Sequence, residues 1–449
     1  MSIDLSILTP AQKSAATTTS SRVGVIATAG AGKTRTIIFR IWYLTTYLKA
    51  KLDSVLAISF TNKGVEEISH ALVRYGLSSY RYSIALMTID KLAKNIAEEY
   101  IGKEISQDDF SSEENMFQEI LTLATSALKS NAEIYKKYSK AFQHILIDEF
   151  QDVNDEQFDF IQALLSPSSS LFVVGDDDQN IYDWRGANAH YMTNFITYFP
   201  TGEIHVLNEC FRCSGRIVTV MNSLICNNSS RYPKSIKTSN PPGDPVTYIH
   251  FESFDKELRY ILREIDYLID WDGYDQSDIL ILYRTNEMVT AARRLLTEKG
   301  FSDVTVSTMH SAKGSENKIV FVASVNDRYY PSTSPIESIE AERRVLFVGI
   351  SRASTRLYIS SSAVSIDEGK VKLSRPSRFI SEIASCCQMP LKRLSSLTEL
   401  SQGDNYYDLT GEIFTFLYHY KDNYYFGDRT AHLVAMDAAQ ILATLYVTY

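Results

Sequence analysis

Apolar positions in this chain fall into short runs separated by longer stretches at helical spacing, the pattern of a parallel α/β sheet. In the first half the strand candidates are Val23–Ala27, Val55–Phe60, Ile84–Thr88, His144–Ile147 and Leu171–Val174. A polar, predominantly helical stretch over Lys91–Lys140 interrupts the series and reads as an inserted subdomain. The turn Pro200-Thr-Gly202 separates the halves. A second set of strands follows: His205–Leu207, Val246–Phe251, Asp278–Tyr283, Val304–Met309, Ile319–Ala323 and Leu357–Ser361. Two similar α/β lobes with a cleft between them are expected, and ligands of such sheets bind outside the carboxyl ends of the strands. Beyond about Leu394 the alternation gives way to a tail rich in Tyr and Phe, among them Tyr406, Tyr407, Phe414 and Tyr425. That tail reads as a small aromatic core packed on the second lobe or as a docking surface.

Two segments place chemistry at those strand ends. Ala27–Thr34, Ala-Thr-Ala-Gly-Ala-Gly-Lys-Thr, leads from the apolar run Val23–Ile26 into a plausible helix, Arg35–Leu48. Phosphate needs backbone N–H groups that approach without a Cβ in the way, together with a cation and a helix N-terminus. Gly30, Ala31, Gly32 and Lys33 supply those features, and Thr34 offers a hydroxyl to Mg²⁺. The formal phosphate-loop pattern is imperfect, because Ala27 stands where its first Gly is expected. The second segment, His-Ile-Leu-Ile-Asp-Glu-Phe-Gln-Asp over residues 144–152, reads as a buried strand that delivers Asp148 and Glu149 at its exposed end. Asp148 suits Mg²⁺, and Glu149 suits orienting or deprotonating an attacking water. A Gly-rich turn alone is often just a turn, and an Asp-Glu pair alone says little. In this order the two point to nucleoside triphosphate hydrolysis.

Composition narrows the picture. At 449 residues the chain suits two domains with insertions, and 45% apolar with 22% charged residues is globular. No run of 18 or more apolar residues suggests a membrane span, and Met-Ser-Ile-Asp-Leu-Ser lacks the marks of a signal peptide, so an intracellular setting is expected. The net charge of −9 argues against a sequence-wide electrostatic grip on nucleic acid but leaves room for a local groove. Five cysteines are too few and too odd for a disulfide framework. Cys210 and Cys213 have no second pair at zinc spacing.

Further motifs follow in collinear order: Thr9-Pro-Ala-Gln12, Phe60-Thr-Asn-Lys63, Gly175-Asp-Asp-Asp-Gln-Asn-Ile-Tyr-Asp-Trp-Arg-Gly186, Leu207–Ser214, Thr308-Met-His-Ser-Ala-Lys-Gly-Ser-Glu316 and Glu342–Ala353. From about Leu8 to Ile383 the chain thereby resembles the UvrD/PcrA/Rep family of superfamily 1A DNA helicases. The resemblance implies a P-loop NTPase with two RecA-like lobes and a short helical insertion in the first. It puts lobe 1A at residues 1–88 and 141–203, the insertion 1B at 89–140, lobe 2A at 204–393 and an aromatic segment at 394–449. It implies ATP and Mg²⁺ as cofactors, with Gln12, Ala29 to Arg35, Phe211 and Glu316 around the nucleotide and Thr34 and Asp148 on the metal. Gln12 would pair with adenine, Phe211 would stack on it, and Glu316 would meet the ribose. Lys33, Asp148, Glu149, Gln179, Arg212 and Arg352 would be the catalytic set. Arg212 and Arg352 would enter from the second lobe. Single-stranded DNA would lie against Phe60, Thr61, Asn62, Thr88, Tyr182, Trp184, Arg185 and His310, where aromatic faces stack on any base.

Three departures from the family pattern stand out. Phe211 replaces the usual Tyr, which keeps the ring and loses the hydroxyl. Thr88-Ile-Asp90 replaces Thr-Phe-His. Arg284 and His310 are only 26 residues apart, where the family inserts a large helical subdomain called 2B. The resemblance therefore implies a compact, two-lobed member: a DNA translocase or helicase of 3′ to 5′ polarity. The alternative is a DNA-gated ATPase subunit of a nuclease or Gabija-like phage-defence complex, with little unwinding of its own; the protein partners in view are a nuclease or a replication or repair protein.

Overall fold

The computed structural model describes residues 4–106, 113–332, 338–367 and 370–388, and the chain divides into two compact units. The first comprises Met1–Cys213, Asn228–Pro241 and Pro335–Phe347; the second comprises Ser214–Asn227, Pro242–Ser334 and Val348–Tyr449. The aromatic tail expected beyond Leu394 lies outside the described residues.

The first unit is built on six strands: β1 (Arg22–Ala27), β2 (Val55–Ser59), β3 (Ala85–Thr88), β4 (His144–Ile147), β5 (Ser170–Gly175) and β6 (Glu203–Leu207). They pair in the order β3-β2-β4-β5-β1-β6, every pair parallel. A parallel sheet is covered on both faces, which is why β1, β2, β4 and β5 are nearly continuous apolar runs. Successive residues face opposite sides: Leu56 and Ile58 enter one core, Val55 and Ala57 the other. The helices α1 (Pro10–Thr17), α2 (Lys33–Thr46) and α3 (Asn62–Arg74) cover the side that receives Val55. On the Leu56 side lie α4 (Ile89–Ile101), α5 (Glu113–Ser130), α6 (Ala132–Ala141) and α7 (Asp155–Leu164). The short helices α8 (His190–Thr193) and α9 (Phe195–Tyr198) lead to β6.

The strand expected at His205–Leu207 does not open a second lobe. It is the end of β6, which pairs with β1 from Val23↔Glu203 to Ala27↔Leu207, and Thr28 N continues the ladder by donating to Leu207 O at 2.8 Å. The turn at residues 200–202 therefore connects elements of one sheet. The described residues of the helical stretch over Lys91–Lys140 share the core of the sheet. Ile96, Ile120, Ala124, Leu128 and Ile134 belong to the same apolar cluster as Leu56, Ile145 and Val173 of the sheet.

The second unit carries a parallel sheet in the order β14-β7-β11-β10-β8-β9. Its strands are β7 (Val246–Phe251), β8 (Ile279–Tyr283), β9 (Thr305–Thr308), β10 (Asn317–Val322), β11 (Ala353–Ser362) and β14 (Cys387–Gln388), and β12 (Val364–Asp367) pairs antiparallel with β13 (Lys370–Leu373) beside them. The helices are α10 (Gly215–Ile225), α11 (Phe254–Asp270), α12 (Asn286–Glu298), α13 (Ile339–Ile350, which starts within the first unit) and α14 (Arg378–Ile383). The expected class, two parallel-sheet α/β lobes of RecA type, is the fold observed. Among the described residues no helix is long and apolar enough to cross a membrane.

The shared core generates a test. Leu128→Ala on α5 empties space in a cluster that includes sheet residues, so it should destabilise the first unit by about 2–5 kcal/mol. Thermal unfolding followed at Trp42, which is buried on α2 across the sheet, should shift down with it. An early transition that left the Trp42 signal in place would mark the α4–α6 layer as independent.

Candidate nucleotide site

β1 runs into residues 28–32 and α2 begins at Lys33. Gly30 (φ 71°) and Gly32 (φ 80°) are left-handed, the region open to glycine. A Cβ on Gly30 would lie 2.8 Å from Arg212 Cβ, and one on Gly32 would lie 2.7 Å from Gln12 Nε2. The loop thus turns back over α2 so that the free N–H groups of the first helical turn, and Thr34 within it, stand at the carboxyl end of the sheet. Ala29 and Ala31, within the loop, are buried. Gln12 holds this loop from outside: its Nε2 donates to Ala31 O at 2.8 Å, and its Oε1 accepts from Thr9 N at 3.1 Å in a capping box. Both ends of the amide expected to read adenine are engaged within the fold. Arg35 donates to Tyr75 Oη at 3.0 Å.

β4 delivers the two carboxylates beside that loop. Lys33 Nζ lies 2.6 Å from Glu149 Oε2. Burial works against the ammonium, but Glu149, Asp148 and Asp176 outweigh it and hold its pKa above the ordinary lysine value. Asp148 is buried, and burial, with Glu149 beside it, pushes its carboxyl up to about 7. A buried carboxylate next to a hydroxyl-bearing helix start is a hard-oxygen donor set, so Asp148 and Thr34 fit a divalent cation such as Mg²⁺. Glu149 itself is left-handed (φ 54°), unusual for a residue with a Cβ.

At the end of β5 the run Asp176-Asp177-Asp178 is buried, with Gln179 Nε2 donating to Asp176 Oδ2 at 2.6 Å. The three carboxylates could hold a metal by spacing alone, but an ammonium already stands among them. Lys234 Nζ lies 3.3 Å from Asp176 and 2.9 Å from Asp178, and it bonds Asp177 as well. Arg231 grips Asp178 through Nε at 2.8 Å and Nη2 at 2.6 Å. Burial opposes each of these charges. The two cations nevertheless keep Asp178 below the usual carboxylate range, and the aspartates raise Lys234 well above the usual lysine value. Arg231 and Lys234 were not singled out in the sequence. The Asp176-Asp177-Asp178 run, once buried, requires cations, but nothing local to Arg231 and Lys234 marks them as the source.

Downstream, Trp184 is 49% exposed, and the Arg185 guanidinium stacks 4.5 Å from its ring and 5.8 Å from that of Tyr182. Arg344 anchors this turn by donating to Asn180 O at 2.8 Å and Asp183 Oδ2 at 2.6 Å. Thr61 and Thr88 spend their hydroxyls as N-caps of α3 and α4, accepting from Gly64 N at 3.0 Å and Lys91 N at 3.2 Å. Asn62 is exposed, and Phe60 packs half-buried at the core edge.

Phe211 and Arg212, expected on the second lobe, belong to the first unit. The reason is local: Phe211 N donates to Gly30 O at 3.0 Å, and Cys210, its thiol held down to about 6 chiefly by the hydrogen bond from Cys213, lies under the same glycine. Phe211 remains 37% exposed. The other three candidates are in the second unit. Arg352 is buried and donates to Val348 O at 2.9 Å, Ser315 O at 3.1 Å and Ser351 Oγ at 2.8 Å. His310 Nδ1 lies 3.4 Å from Arg284 Nη1, and Glu316 is exposed.

A parallel sheet, a glycine turn into a helix start and an adjacent Asp-Glu pair define a P-loop protein of RecA-like fold. Along the sequence, the pattern of the UvrD/REP helicase N-terminal domain matches residues 8–116 and 108–200, and that of the UvrD-like helicase C-terminal domain matches residues 205–302 and 291–363. The chain belongs to the UvrD/Rep helicase family. It is 28% identical to the ATP-dependent DNA helicase PcrA of Leuconostoc citreum, over 61% of this chain and 46% of that protein. With PcrA of Bacillus subtilis the identity is 27%, over 66% and 50%, and with DNA helicase II of Escherichia coli it is 26%, over 63% and 49%. The chain spans about half the length of these curated relatives.

The buried charge cluster gives a prediction. Lys234→Met leaves three aspartates short of a cation, so it should lower stability by about 3–5 kcal/mol. Scanning calorimetry should show the loss as a lower transition temperature, and an unchanged transition would remove Lys234 from the network.

Proposed function

We propose that the chain is an ATP-dependent translocase or helicase on single-stranded DNA, moving 3′ to 5′ and coupling ATP hydrolysis to movement. The observation that carries the ATPase part is the contact of Lys33 with Glu149 beside buried Asp148, at the mouth of a glycine turn. In this reading the amides of residues 30–34 bind the β- and γ-phosphates. The Lys33 ammonium transfers its charge from Glu149 to the triphosphate, which releases Glu149 to orient and deprotonate water. A divalent cation held by Thr34 and Asp148 would neutralise developing charge on the phosphates. Gln179, fixed on Asp176, stands for the γ-phosphate, and Arg212 adds a guanidinium from the turn against Gly30. The relatives named above are DNA helicases by name, which supports DNA as the track. The exposed Trp184 with its stacked Arg185 is a surface suited to bases and backbone phosphate.

A second reading has its own observation. The interval between Arg284 and His310 holds only α12 and β9, and the side chains that bound it meet, Arg284 Nη1 lying 3.4 Å from His310 Nδ1. We infer that no 2B-like subdomain is inserted there. This favours modest unwinding by the chain alone, as for a DNA-gated ATPase that serves a nuclease or defence partner.

Lys33→Ala should abolish ATP turnover and Glu149→Gln should cut it to a small residual rate, while Glu149→Gln retains nucleotide binding because it leaves the loop and Asp148 in place. Equilibrium binding of a fluorescent ATP analogue and a phosphate-release assay separate the two effects. Near-normal hydrolysis by Glu149→Gln would remove it from water activation. Trp184→Ala should weaken single-strand binding by roughly 1–3 kcal/mol and spare DNA-independent ATPase. Fluorescence anisotropy of a labelled oligonucleotide measures it, and unchanged affinity would take Trp184 off the track.

A further inference from the structure

Gln151 is fully buried in the single turn Phe150–Asp152, two residues beyond Glu149. Its Nε2 donates to Glu149 Oε2 at 2.7 Å, the oxygen that also faces Lys33 Nζ at 2.6 Å. Its Oε1 accepts from the backbone N of Asp176 at 2.8 Å. A Cβ on Gly175 would stand 2.4 Å from that Oε1, so nothing larger than glycine at the end of β5 lets the amide sit where it does. Asp176 then receives Gln179 on its carboxylate. One carboxamide therefore spans from the Glu149 carboxylate to the peptide that starts the Gln179 turn.

Chemistry at the two ends differs. The Glu149 end needs an N–H donor, and the Asp176 end needs an oxygen acceptor. Glutamate at position 151 would satisfy the second and set like charge against Glu149. Asparagine, one methylene shorter, would not reach both. Glu149 also holds a left-handed backbone, a conformation that persists only where neighbours over-determine it.

We propose that Gln151 is a positioning residue for hydrolysis, fixing the Glu149 carboxylate in register with the Gln179 turn. It rests on Glu149 acting on water. In steady-state ATPase assays of the full chain with single-stranded DNA, Gln151→Ala should lower kcat by about 10²-fold while KM for ATP stays within about threefold. Gln151→Glu, nearly the same shape and still able to accept from Asp176 N, should lose at least as much, and it decides the matter if Gln151→Ala unfolds. Adding Gln151→Ala to Glu149→Gln should cost nothing further, because the two act as a unit. Gln151→Glu turning over at the wild-type rate, a loss confined to KM, or additive losses in the double variant would each overturn the proposal. Wild-type turnover by Glu149→Gln would instead overturn the reading of Glu149 beneath it, and the proposal with it.

Discussion

Asp148, Glu149, Asp176, Asp177 and Asp178 stand at the carboxyl ends of two adjacent parallel strands. A sheet can crowd five carboxylates there only if cations are delivered to them. Lys33 meets Glu149 from the phosphate loop, while Lys234 and Arg231 meet the Asp176–Asp178 run from a distant stretch of sequence. Lys234 alone serves all three aspartates, so its removal would leave Asp176 and Asp177 short of a cation while Asp178 keeps Arg231. The local backbone conforms to this arrangement: a left-handed Glu149, left-handed glycines at 30 and 32, and a bare Gly175 under the Gln151 amide.

What was legible in the sequence follows from which physical signals are local. Strands of a sheet covered on both faces are continuous apolar runs, so β1, β2, β4, β5 and β8 could be read to within a residue or two. The phosphate loop was legible because Gly-Ala-Gly-Lys-Thr has few other uses after a strand. Partner choice is not local. The run at His205–Leu207 announced a strand but not the sheet it joins, which is decided by hydrogen bonding to β1. Arg231 and Lys234, in Arg-Tyr-Pro-Lys, look like ordinary solvated cations. Only the three aspartates, 53 or more residues upstream, explain their burial.

Gln12 and Thr88, which the resemblance assigned to ligands, and Arg344, which it did not single out, have structural duties. Gln12 ties the loop to the N-cap of α1, Thr88 caps α4, and Arg344 secures the turn that bears Trp184. These bonds hold the loop, the helix start and the turn in place within the fold itself.

The two units are interleaved along the chain. Residues 228–241 return to the first unit after a helix of the second has been laid down, and Arg344 returns again more than a hundred residues later. A nascent chain released only to residue 213 would carry the whole first sheet yet lack the ammonium for its aspartate cluster and the guanidinium for its tryptophan turn. On the ribosome, the amino-terminal lobe would therefore reach its final charge balance only after about half of its neighbour has emerged. Neither lobe is one continuous segment of the chain.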